Sequence, residues 1–150
     1  MPYIPFRNIC PKIAQEETRV ITLQQEDNAF DLPKGDYYFF ELFCDECDCR
    51  RVFLQIFLNQ KIVATIAYGW ENLSFYRKEF KGFDEKEIKE LKGPALDPFQ
   101  YQSVISDKIL NMFNKVLFSD KYYLDRIENH YNHFKKALNT INDKKARPAK

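Results

Sequence analysis

"YYFFELFCDECDCRRVFLQIFL" (Tyr37–Leu58) decides how the rest of the chain is read. Its two flanks, Tyr37–Cys44 and Arg51–Leu58, are strand-length runs rich in aromatic and β-branched residues. Tyr38, Phe40 and Leu42 fall on one side of the first run, and Phe39 and Phe43 on the other. Both faces therefore need cover, which points to a sheet packed by helices or long segments. The link between the runs is too short for a crossover, so they pair antiparallel. Asn59-Gln60 then makes a tight turn into "KIVATIAYGW" (Lys61–Trp70) and extends the pair to a meander.

Upstream, "TRVITL" (Thr18–Leu23) reads as one more strand, followed by a polar loop that Pro33 and Gly35 close with a turn. Residues 1–17 carry Pro2, Pro5 and Pro11 and read as irregular. Downstream the period changes. "ENLSFYRKEFKG" (71–82) suggests a short helix. Asp84 and Glu87 form a capping box, Phe83 and Ile88 stand at the staple positions, and Gly93-Pro94 ends that helix. "ALDPFQYQ" (95–102) reads as a loop. Ser103 opens a helix with Ile105, Ile109, Met112, Phe113 and Val116 on one face. Ser119 or Asp120 caps the last helix, where Leu124, Ile127, Tyr131, Phe134 and Leu138 repeat the spacing. The expected fold is α+β, an antiparallel meander of about four strands packed by C-terminal helices. It occupies residues 1–140, with a flexible polar tail at 141–150.

Composition limits the function classes. Lys+Arg of 23 against Asp+Glu of 22 leaves +1, so net charge offers no footprint for nucleic acid. The N-terminus holds no apolar run of signal-peptide length, and no stretch is long enough to span a membrane. A cytoplasmic location is expected, where thiols stay reduced and clustered cysteines read as metal-binding or catalytic. Of the 150 residues, 16% are aromatic, enough to build a core without disulfide staples.

The link itself holds the candidate site, Cys44, Cys47 and Cys49. If Tyr37–Cys44 pairs with Cys49–Leu58, Asp45–Asp48 is the loop and Cys44 faces Cys49, with Cβ atoms about 4.5–5.5 Å apart. Cys47 then hangs between them. Three sulfurs converging in this way suit a tetrahedral zinc ion with bonds of about 2.3 Å. Cys10 or His130 is the candidate fourth ligand, with an acid or water as the open alternative. On the last helix His130 lies at the edge of the apolar stripe, whereas His133 faces water. Arg50 and Arg51 would offset thiolate charge at a metal or, without one, activate a free thiol. The same cysteines also suit small apolar packing, or a Cys44–Cys47 redox pair.

Other features read more plainly. Tyr37-Tyr38 and Tyr122-Tyr123 read as packing rather than base stacking, Tyr68-Gly69-Trp70 as a strand end, and Glu17 with Arg19 as a surface ion pair. No Ser-His-Asp arrangement stands out.

Together, "CPKIAQEETRVITL", "LPKGDYYFFELFCDECDCRRVFLQI", "ATIAYGWENLSFY", "LKGPALDPFQYQS" and "DKYYLDRIENHYNHFKKAL" resemble a family of uncharacterised bacterial proteins. Some members continue into a SEC-C motif, a short zinc-binding segment, and "KKARPAK" resembles the linker before it. The resemblance implies that Cys44, Cys47, Cys49, Arg50 and Arg51 belong to the group's defining pattern, with His130 and Cys10 alongside, and implies no activity. The functional expectation is a zinc-stabilised binding or adaptor module with an unknown protein partner. The alternatives are a metal-dependent hydrolase with an open zinc position and a thiol redox protein.

Overall fold

A computed structural model describes residues 3–146. The class is α+β, with an antiparallel sheet at the centre. β3 (Gly35–Cys44), β4 (Arg51–Leu58) and β5 (Lys61–Gly69) form the expected meander. The β4–β5 turn places Asn59 and Gln60 at φ 51° and 67°, the left-handed pair that a two-residue hairpin requires.

The sheet has six strands rather than about four. β2 (Arg19–Leu23) pairs with the first half of β3, and β1 (Tyr3–Pro5) pairs with the end of β3, Tyr3 lying opposite Cys44. β6 (Ala95–Leu96) adds to β5. β1 and β6 are too short to carry a period. The segment expected to be irregular also holds α1 (Phe6–Ile9) and α2 (Pro11–Glu17). Its prolines sit where a helix tolerates them, Pro5 before the first turn of α1 and Pro11 in the first turn of α2.

One face of the sheet is the core. Tyr37, Phe39 and Phe43 of β3, Val52, Leu54 and Ile56 of β4, and Ala64 and Ile66 of β5 are buried there. Against them pack α5 (Ser106–Met112) and α6 (Lys121–Ala146), with Phe39 near Phe113 and Phe43 near Phe134 and Tyr131. After α5 the chain widens into a π-turn over Phe113–Leu117, marked by Phe118 N donating to Phe113 O. The wider turn places Leu117 in the core and leaves Val116 half-buried, a phase shift that a 3.6-residue pattern does not anticipate. Asp120 caps α6 by accepting from Tyr123 N. Residues 141–146, expected in the polar tail, continue this helix, and the rest of that tail lies outside the described residues.

The other face carries Tyr38, Phe40, Phe53 and Phe57, with Phe40 edge-on to Phe57. α3 (Leu73–Glu79) and α4 (Glu85–Lys92) follow β5, and α4 shows the full capping box of Asp84 and Glu87. Ser103 does not open α5. It is spent on the edge of β5, where its N and Oγ both donate to Val63 O. Gln102 acts there too, its amide bonding both N and O of Thr65 like a strand residue. The edge of β5 is thus closed without a long strand.

Candidate metal centre

The hairpin register differs from the expected one. Leu42 pairs with Phe53, which carries Cys44 opposite Arg51 and leaves 45–50 as the loop. Cys44 and Cys49 are therefore not a facing ladder pair. The loop curls instead. Arg50 takes φ 51°, and its carbonyl accepts from Tyr76 OH at 2.7 Å. Tyr131 OH donates to Asp48 Oδ1 at 2.6 Å, and Arg50 holds the other oxygen of Asp48 at 3.1 Å. Lys135 of α6 reaches under the loop, donating to Cys44 O at 2.7 Å and Cys47 O at 2.5 Å.

That curl still brings the sulfurs of Cys44, Cys47 and Cys49 within 4.8 Å of one another, close enough to hold a metal ion. Cys44 and Cys49 are buried, and Cys47 is half-buried with its Sγ 2.9 Å from that of Cys44. Around a tetrahedral zinc with bonds of about 2.3 Å, sulfurs stand roughly 3.8 Å apart, a spacing between those two values. Burial, then hydrogen bonds to Cys44 and Cys49, then their charge push the Cys47 thiol up. Three sulfurs so close resist ionising together unless a cation joins them. Tyr3 stands beside Cys49. Burial and then the cysteine's charge push its phenol up, and Arg51 opposes them. Asp48 is held low by its bonds to Arg50 and Tyr131, against burial.

The remaining candidates lie elsewhere. Cys10 sits at the α1–α2 junction, where burial raises its thiol and where it lines a shallow surface cavity with His133. His130 is engaged at both ring nitrogens, Nδ1 with Glu41 at 2.7 Å and Nε2 with Glu17 at 2.9 Å. Phe6 stacks on the imidazole at 4.5 Å. Neither residue belongs to the cysteine group. Glu17 pairs with His130 and Arg126 rather than with Arg19.

The Glu41–His130 pair leaves a signal in the sequence. Glu41 is the one acid inside "YYFFELFC" and falls on the same face as Phe39 and Phe43. A buried acid needs a partner. The gap in β3's outer edge between its pairings with β2 and β1 is where that acid sits. Gly69, read as a strand end, has a steric task. A Cβ there would meet Tyr76 OH at 2.1 Å, so the ring that fixes Arg50 needs glycine beneath it.

No family model, curated protein or solved structure matches the chain. Among the described residues no helix is long and apolar enough to cross a membrane.

Proposed function

We propose that the chain is a zinc-stabilised binding or adaptor module, with Cys44, Cys47 and Cys49 holding the metal at the tip of the β3–β4 hairpin. The observation that carries this reading is the convergence of three sulfurs within 4.8 Å in a loop pinned by Tyr76, Tyr131 and Lys135. Thiolates are soft donors that select zinc over hard cations. The Lys135 ammonium offsets part of their charge. With Cys10 and His130 elsewhere, the fourth position goes to water or to a group brought by a partner. Half-buried Cys47 marks the side of approach. A hydrolytic reading needs a free acid at that position; Asp48 is committed to Arg50 and Tyr131, which leaves Asp45, whose Oδ1 is buried without a partner in the same loop.

A redox pair is the second reading, favoured by the 2.9 Å separation of the Cys44 and Cys47 sulfurs. The raised Cys47 thiol counts against it, because exchange chemistry needs a thiolate.

Elemental analysis of the purified chain, joined to thiol counting, tests the proposal. One zinc per chain, with the Cys44, Cys47 and Cys49 thiols masked until a chelator is added, is the expected result. A metal-free chain with all thiols freely reactive sinks it.

A further inference from the structure

Between α4 and the outer face of the sheet lies a cavity of about 420 Å³. Its floor is Phe53 and Ala67, and its walls are Phe83, Leu91 and Phe99. Arg51 lines it as well and is only 6% exposed. Its guanidinium lies over Phe53 at 5.5 Å and Phe80 at 5.9 Å. Nε donates to Leu91 O at 2.7 Å, and Nη1 to Tyr3 OH at 3.3 Å. A guanidinium has five N–H donors, so these two bonds leave Nη2 and half of Nη1 free. Among the described residues no carboxylate forms an ion pair with it. A buried cation without a counter-charge is costly, and its planar fork suits a carboxylate.

The rim carries the opposite sign. Glu87 and Glu90 of α4 and buried Asp97 line the same cavity. A plain monoanion would be drawn to Arg51 and repelled by three acids. A ligand with an ammonium as well as a carboxylate satisfies both. The apolar walls and a volume within the usual range for small-molecule sites add room for an aromatic or branched body.

We infer that this cavity binds a small zwitterion with an apolar body, its carboxylate on Arg51 and its ammonium among Glu87, Glu90 and Asp97. A free amino acid and a short peptide share this chemistry and differ in the spacing of their charges.

The test is an NMR titration of the full chain with L-phenylalanine, glycyl-L-phenylalanine, 3-phenylpropionate and phenethylamine. At least one zwitterion should shift the Ala67 and Phe99 amides and bind at least tenfold more tightly than either singly charged compound. Whichever zwitterion binds better identifies the source. R51M should lose tenfold or more. Because Arg51 also anchors Leu91, two milder variants accompany it. F99A alters a side chain that is 91% exposed and should weaken binding several-fold. E87Q/E90Q keeps the capping oxygen and should bring the zwitterion down to the level of 3-phenylpropionate. The proposal is overturned if no compound shifts those amides, if a singly charged compound binds as tightly as both zwitterions, or if F99A and E87Q/E90Q bind like the unaltered chain.

Discussion

His130 Nδ1 and Glu41 Oε1 meet at 2.7 Å where α6 crosses β3, and both side chains are almost wholly buried. Burial alone would lower the histidine's pKa, but the hydrogen bonds and charges of Glu41 and Glu17 outweigh it and raise the value. Burial raises Glu41, against the pull of His130 and Arg126. Both directions mean that the folded chain holds protons that the unfolded chain releases, from the ordinary 4.5 of Glu and 6.5 of His upward. The acid's contribution to stability is full below its ordinary 4.5 and the histidine's below 6.5, and each is lost as pH rises through the folded value. Urea denaturation between pH 5 and 8 should therefore show stability falling with pH. H130N should be less stable by about 3 kcal/mol, since it strands a buried acid. Its pH slope should be shallower, and parallel slopes would count against the pair as the source.

Gly69 and Tyr76 make a second, purely steric prediction. A methyl group at position 69 would meet Tyr76 Oη at 2.1 Å and Cζ at 2.5 Å. The ring cannot retreat without releasing Arg50 O and Glu71 N, which it bonds at 2.7 and 3.3 Å. G69A should cost about 1–3 kcal/mol by overpacking. It should also speed amide exchange in 45–50, because the ring that holds Arg50 moves. Unchanged exchange in that loop would show that Tyr76 does not anchor it.

The meander, the α4 capping box and the last helix were legible because each carries its own period or punctuation. The short strands β1 and β6 were not, because three and two residues hold no period and exist only as neighbours of β3 and β5. The cysteine cluster was legible as a group but not in its register. Alternation along a strand says nothing of a loop that is bent by Tyr131, Lys135 and Tyr76, residues distant in sequence. His130 was legible as a stripe-edge residue. Its partners were not, since Glu41 is 89 positions away and Glu17 is 113.

Lys135 tests whether the loop's shape matters to the metal. Its ammonium donates to the backbone of both Cys44 and Cys47. K135M keeps the bulk of the stem and removes the donors and the charge. Groups that orient ligands from outside the coordination sphere typically contribute 10–100-fold in affinity. Competition with a chromophoric chelator should show zinc held about 10-fold more weakly, with little change in the far-UV CD. Equal affinity would mean that the loop keeps its shape without α6.

The cysteines separate metal from packing most directly. If the three sulfurs hold zinc, C44S, C47S and C49S should each lose stoichiometric metal, because a thiolate is replaced by a poor donor. C10S and H130N should retain it, since neither side chain stands in the cluster. Metal that binds only the folded chain adds to its stability, so a chelator should lower the melting temperature of the unaltered chain, C10S and H130N alike. It should leave the three cluster variants where they are. If the cysteines serve only as small apolar residues, serine would still destabilise at buried Cys44 and Cys49, but no variant would respond to chelator. The chelator response, not the stability loss, therefore decides between the two. A response that survives in C47S would remove the half-buried cysteine from the ligand set and leave only two sulfurs, too few for the three-cysteine site proposed.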